Sequence, residues 1–182
     1  TGATSGVGLE AARCLASRGA DIFMVCRSGQ KAEKTGDELA KAYGVGVDFT
    51  LADFTSLAQV RAAAGEVLAK CPRIDVLVNS AGVHVTTRTY TPEGFETVFC
   101  VNHLAPFLLT NLLLGRIRQS APSRIINVNS EGHRFNGLDP EDLGWHKRFY
   151  TGLRSYGASK VAQLLTTWEL ADILAGTGVT IN

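Results

Sequence analysis

Tyr156 and Lys160 stand four residues apart, so on a helix they share one face. A free phenol has a pKa of about 10, too high to exchange protons readily near neutrality. A positive charge beside it lowers that value by roughly 1–3 units, towards the range useful for acid/base work. Of the four tyrosines, Tyr43, Tyr90, Tyr150 and Tyr156, only the last has a lysine at this spacing. Tyr150 with Arg154 is the rival pair, but a guanidinium is a less compact partner for a hydroxyl than an ammonium. An isolated Tyr-x3-Lys is also what an ordinary exposed helix pair looks like, so the assignment needs company. Ser130 supplies some, because a hydroxyl can donate to a carbonyl oxygen and stabilise charge growing on it.

The chain opens Thr1-Gly2-Ala3-Thr4-Ser5-Gly6-Val7-Gly8, just ahead of a helical pattern. Gly2 and Gly6 let a backbone turn tightly and approach a phosphate, and Gly8 lets the helix pack against the sheet. Free N–H groups at such a helix start attract a pyrophosphate. The spacing G-x3-G-x-G differs from the G-x-G-x-x-G dinucleotide fingerprint, and no Gly-Lys-Ser/Thr follows as a triphosphate loop requires. At the end of the next apolar run, Val25-Cys26-Arg27-Ser28 carries Arg27 where a ribose-binding carboxylate would repel a 2′-phosphate. A guanidinium fits that phosphate in charge and shape, which favours NADP(H) over NAD(H).

These residues need a scaffold, and apolar runs alternate with amphipathic stretches throughout. Strands are expected at Ile22–Cys26, Val45–Leu51, Ile74–Val78, Arg124–Val128 and from Val179 to Ile181. Helices are expected at Leu9–Ala16, Lys31–Tyr43, Ser56–Lys70, Pro92–Leu114 in two pieces, and Tyr156–Leu174 with Val161, Leu164, Leu165 and Trp168 facing inward. This alternation predicts an α/β, Rossmann-type doubly wound parallel sheet, in a single domain over 1–182, covered by helices on both faces. Ligands bind such sheets beyond the carboxyl ends of the strands, where Arg27, Asp53, Asn79 and Ser130 fall.

Composition narrows the function classes. With 182 residues, 45% apolar and 19% charged, the chain is an ordinary globular mixture. A net charge of +1 offers no basic excess for nucleic acid. The most apolar stretch, Leu104–Leu114, is interrupted by Pro106, Thr110 and Asn111, so no transmembrane segment is expected. Cys14, Cys26, Cys71 and Cys100 lack CxxC spacing and read as buried free thiols of a reducing, cytoplasmic compartment. Neither they nor His84, His103, His133 and His146 have metal-ligand spacing.

Taken in order, Thr1-Gly2-x3-Gly6-x-Gly8, Asn79-Ser80-Ala81-Gly82, Asn102, Ser130 and Tyr156-Gly157-Ala158-Ser159-Lys160 resemble the short-chain dehydrogenase/reductase family over essentially the whole chain. The resemblance implies hydride transfer between nicotinamide and a carbonyl or alcohol. It makes Tyr156 the proton donor, Lys160 its tuner and ribose ligand, Ser130 the carbonyl-orienting group and Asn102 the holder of a water in a proton relay. It places the cofactor against Gly2, Thr4, Ser5, Gly6, Val7, Arg27, Asp53, Phe54, Asn79, Ala81 and Gly82, with Asp53 at the adenine. Ser80 replaces a second Asn, and Asn129 a first Ser, of the family pattern.

Between Ser130 and Tyr156 an insertion carries Glu131-Gly132-His133-Arg134-Phe135, Trp145, His146, Phe149 and Tyr150. It resembles the retinol-dehydrogenase-like and WW-domain-oxidoreductase-like branch and implies an apolar small-molecule substrate. Leu108, Leu109, Leu112 and Leu113 exceed what one helix face needs; similar family helices pair in a homodimer or homotetramer. A sugar-nucleotide epimerase or dehydratase would share the Tyr-Lys pair but usually has G-x2-G-x2-G. A non-catalytic dinucleotide sensor would need no acid/base set. The family's first strand precedes Thr1, and its last elements follow Asn182, so the expectation is a fragment of a longer chain that folds marginally alone.

Overall fold

A computed structural model describes residues 1–135 and 137–182; the Phe135 side chain and Asn136 lie outside the described residues. In chain order the elements are α1 (Gly6–Ala16), β1 (Ile22–Cys26), α2 (Gly29–Tyr43), β2 (Val47–Leu51), α3 (Leu57–Lys70) and β3 (Val76–Asn79). Then come α4 (Thr97–Phe99), a π-helical turn (Cys100–Leu104), α5 (Ala105–Gln119), β4 (Ser123–Asn127), two 3₁₀ turns (Glu131–Phe135 and Pro140–Asp142), α6 (Gly152–Ile173) and β5 (Val179–Ile181).

All strand pairs are parallel, as expected. β1 pairs with β2 from Ile22↔Val47 to Cys26↔Leu51. β4 lies between β3 and β5, with Val76↔Arg124 and Ser123↔Val179 in register. The opening loop bridges the carboxyl ends of these two sheets. Thr1 N donates to Val78 O at 2.7 Å, and Thr1 Oγ1 accepts from Ser80 N at 3.1 Å and Ala81 N at 3.0 Å. On the other side the Ala3 amide faces the Cys26 thiol.

Helix starts follow capping chemistry. Ser28, Ser56 and Thr151 accept from the Lys31, Gln59 and Arg154 amides, satisfying donors the helix cannot. Gly44 ends α2 with φ +68, a left-handed conformation that glycine adopts without strain. The larger core joins β3, β4 and β5 to α3 and α5 through Leu77, Ile125, Val60, Leu109, Leu113 and Ile117. A smaller one joins β1 to α1 and α2 through Met24, Ala12 and Leu39.

Several expectations need correction. The inward face of α6 is Ser155, Gly157, Ala158, Ser159, Lys160, Ala162, Gln163, Thr167 and Leu170, mostly small or polar. Leu165 and Trp168, expected inside, are exposed. Of the four α5 leucines, Leu109 and Leu113 are buried, while Leu108 and Leu112 are half-buried against the same core. Cys14 is exposed rather than buried. Because α4, the π turn and α5 run on, Thr97–Gln119 forms 23 continuous helical residues with mean hydropathy 1.6, long and apolar enough to cross a membrane by those measures. Its buried side chains lie in the core between α3 and the β3–β4–β5 sheet, where an apolar helix also belongs.

Candidate active site

The carboxyl ends of β3 and β4, the π turn and the first half of α6 converge on Tyr156. Ser130 and Tyr156 both border Gly132, where a Cβ would sit 2.8 Å from Tyr156 Cε1 and 3.3 Å from Ser130 Oγ. Gly132 therefore lies against both groups, and any side chain there would push them apart. Ser130 Oγ accepts from the Gly132 amide at 3.1 Å, which leaves its proton to donate elsewhere. Asn129 fixes the turn on both sides: its Oδ1 accepts from Ser130 N at 2.6 Å and its Nδ2 donates to Lys160 O at 3.0 Å.

Lys160 is 5% exposed, and its Nζ donates to Val128 O at 2.8 Å and to Gln163 Oε1 at 3.2 Å. Desolvation by burial lowers its pKa to about 8, because an ammonium loses hydration that two neutral acceptors only partly replace. Nζ lies 5.7 Å from the centre of the Tyr156 ring. The rival Tyr150 precedes α6, so it and Arg154 are not an i, i+4 helix pair. Its hydroxyl points to Glu96 Oε1 at 3.3 Å; burial, then the Glu96 charge, raises its pKa. Tyr156 instead has the Lys160 ammonium near its ring and Ser130 across Gly132.

Asn102 is fully buried in the π turn, a helix defect often found at functional sites. Its Oδ1 accepts from Val83 N at 2.7 Å, and its Nδ2 donates to Val83 O at 3.0 Å and Ser159 Oγ at 3.1 Å. The side chain is thus occupied in pinning the loop after β3 to α6.

The cofactor-side residues gather at the carboxyl ends of β1 and β3. Gly2, with φ +67, would place a Cβ 2.9 Å from the Ala81 backbone, and Gly8 would place one 2.4 Å from Gly2 O. Gly8 therefore packs against the loop itself and Ser80, not the sheet as expected. Gly6, at φ +54, borders open space, and Ser5 makes no side-chain cap on α1. Bare amides at a helix N-terminus beside a glycine turn are what a pyrophosphate requires. Thr4 is half-buried, and Ser5 and Val7 are exposed beside it. Arg27 is exposed just past β1 and makes no ion pair among the described residues.

Asn79 is buried, and its Nδ2 donates to Thr110 Oγ1 at 3.0 Å and Asn127 Oδ1 at 2.9 Å. Its side chain braces the sheet, and its Oδ1 is buried with no partner among the described residues. Asp53 is half-buried, with Oδ1 accepting from the Thr55 amide and hydroxyl. The Phe54 side chain is in the core, and its carbonyl accepts from the Cys100 thiol at 3.4 Å. Ala81 is half-buried and Gly82 exposed beside Asn102.

One histidine borders the phenol and another borders Ser130. His84 meets the Tyr156 ring edge-on at 5.8 Å, and His133 Nδ1 lies 2.8 Å from Ser130 O. The insertion's aromatics are mostly committed to packing. Trp145 is buried under Arg148, whose guanidinium lies 4.0 Å above its ring, and Tyr90 stacks on His146. Phe149 projects into solvent. Among the described residues no His, Cys, Asp and Glu group could hold a metal.

The sequence pattern of short chain dehydrogenases matches residues 1–182. The chain belongs to the short-chain dehydrogenase/reductase family. Human retinol dehydrogenase 13 is 41% identical over all of this chain and 55% of its own length. The chain thus spans a little over half the length of the curated relatives it matches. An uncharacterised protein from Mycobacterium paratuberculosis superposes with a TM-score of 0.83 at 36% identity, covering 100% of this chain and 63% of that one. A short-chain dehydrogenase from Sphingobium yanoikuyae, crystallised with NADPH, superposes with a TM-score of 0.79 at 29% identity, covering 98% of this chain and 65% of that one. The family's Rossmann-type α/β fold is therefore the fold of this chain.

Sequence reasoning missed the π turn, the double role of Asn129 and the buried carboxylate of Glu96. Glutamate is not among the favoured N-cap residues, so nothing in Glu96-Thr97-Val98-Phe99 marks it as one.

Proposed function

We propose that this chain is the catalytic core of an NADP(H)-dependent oxidoreductase that interconverts a carbonyl and an alcohol on an apolar small molecule. The observation that carries the reading is the contact of Gly132 with both Tyr156 and Ser130, beside the desolvated Lys160. It supports a proton donor and a carbonyl-orienting hydroxyl acting side by side at the sheet's carboxyl edge.

The dinucleotide's pyrophosphate fits the bare amides of α1 and the turn at Gly2 and Gly6, flanked by Thr4, Ser5 and Val7. Arg27 meets the 2′-phosphate; Asp53, the Phe54 backbone, Asn79, Ala81 and Gly82 line the nucleoside side. When bound, nicotinamide supplies or accepts the hydride. Ser130 donates to the substrate oxygen and holds it against Tyr156, which transfers the proton. The Lys160 charge favours the phenolate and reaches the ribose. Asn102 fixes the loop that carries Ala81 to Val83, and the relay water that the resemblance implies would sit at its π turn.

Retinol dehydrogenase relatives support an apolar alcohol or aldehyde as substrate class. Exposed Phe107, Leu165 and Trp168 on α5 and α6 support a homodimer or homotetramer built on those helices. Four unpaired cysteines support a reducing, cytoplasmic location for this region. The glycine spacing disfavours an epimerase, and the complete acid/base set disfavours a sensor. The test is NADPH oxidation by the full-length protein with a panel of ketones and aldehydes, repeated with Tyr156→Phe. Turnover that disappears in the variant is expected; turnover that survives it rejects the reading.

A further inference from the structure

Glu96 is 1% exposed and receives four donors, a full complement for a carboxylate. Two are backbone amides at the start of the helix that leads into the π turn: Val98 N to Oε1 at 3.1 Å and Phe99 N to Oε2 at 2.8 Å. The other two are hydroxyls from the far side: Tyr150 to Oε1 at 3.3 Å and Ser155 to Oε2 at 3.0 Å. Ser155 immediately precedes Tyr156. One helical turn on, buried Ser159 accepts from Asn102 and donates to the Tyr156 carbonyl at 2.7 Å. The turn of α6 that carries the phenol is thus tied at both ends to one helical segment, by Glu96 and by Asn102.

We propose that Glu96 is a positioning residue for proton transfer by Tyr156, its carboxylate holding the head of α6 to α4 through Ser155. The inference rests on the function proposed above. A packing role alone would need only the shape of the side chain. The hydrogen bonds need the charge-bearing pair of oxygens, because the two amides are split between them. In Glu96→Gln the hydroxyls can rotate to accept, but whichever way the amide lies, one α4 N–H faces an NH₂ group. The buried donor left over costs free energy, and the helix start must shift to relieve it. A displacement of about 1 Å at a catalytic group can cost on the order of 100-fold in rate.

The experiment uses the full-length protein with NADPH and a carbonyl substrate that it turns over. It compares wild type, Glu96→Gln, Ser155→Ala, the double variant and Tyr156→Phe, with kcat expressed per NADPH site titrated by fluorescence. Glu96→Gln is expected to lose about 10- to 100-fold in kcat per site while KM for NADPH stays within about twofold. Ser155→Ala, which keeps the carboxylate and the α4 cap, is expected to lose about 3- to 10-fold. The double variant should be no slower than Glu96→Gln alone, since the serine acts through the carboxylate. A merely structural residue would lower the number of NADPH sites and the melting temperature but leave kcat per site unaltered. An unchanged kcat per site in Ser155→Ala overturns the inference, even where Glu96→Gln does not fold. Wild-type turnover untouched by Tyr156→Phe overturns the proposed function and this inference with it; normal dependence on Tyr156 with a silent Ser155→Ala overturns this inference alone.

Discussion

The two sides of the cleft are built in opposite ways. On the β1 side the glycine loop is shaped by backbone: Gly2 against Ala81, Gly8 against Gly2 O, and an α1 start without a side-chain cap. On the β4 side nearly every polar side chain is spoken for, including Glu96, Asn102, Asn129, Ser159 and Lys160. The difference suits the two tasks proposed for the cleft. A diphosphate is recognised by amide N–H groups, which side chains would only obstruct. Proton transfer needs a phenol held to a fraction of an ångström, which takes interlocked hydrogen bonds.

Variants can break this contrast from either side. The largest effect is expected from Tyr156→Phe, which should lower kcat about 10²- to 10⁴-fold and leave NADPH affinity nearly unchanged. Stopped-flow turnover beside fluorescence titration measures both. Gly8→Ala should do the reverse, because its Cβ would sit 2.4 Å from a carbonyl oxygen that cannot yield cheaply. NADPH affinity should fall on the order of 100-fold, about 3 kcal/mol. Equal loss of binding in Gly132→Ala, whose Cβ meets the Tyr156 ring, would erase the division.

Arg27→Asp should shift the ratio of NADPH to NADH efficiency by about 10- to 100-fold towards NADH, on the scale of a charge-assisted pair turned repulsive. An unchanged ratio removes Arg27 from the phosphate site. A further effect is on stability. Lys160 binds its proton less tightly folded, at about 8, than unfolded, at 10.5. Between those values the unfolded chain carries more protons, so Lys160 adds stability as pH rises from about 8 to 10.5 and costs stability below. Across that window the wild type should gain about 3 kcal/mol relative to Lys160→Met in denaturant melts. Parallel curves would mean the ammonium is not desolvated.

Much of the scaffold was readable because buried parallel strands are short apolar runs: Ile22–Cys26 and Val179–Ile181 appear at the expected residues. The Gly-rich loop and Tyr-x3-Lys were readable because each is local. α6 misled, because the face it buries is polar. Ser155, Ser159, Lys160, Gln163 and Thr167 point inward, while Leu165 and Trp168 lie outside, so hydrophobic periodicity marks the wrong side. Its start at Gly152, four residues before Tyr156, was hidden in an aromatic and glycine-rich stretch where only the Thr151 cap signals a helix. Long-range pairings such as Glu96 with Ser155, 59 residues apart, leave no trace in local pattern at all.

A crystal structure of the full-length protein with NADP⁺ and a bound ketone or alcohol tests the central claim most directly. The substrate oxygen should lie within hydrogen-bond reach, about 2.6–3.2 Å, of both Tyr156 Oη and Ser130 Oγ, with the pyrophosphate on the first amides of α1. A nicotinamide ring lying away from Tyr156, or a dinucleotide bound elsewhere on the sheet, would contradict it.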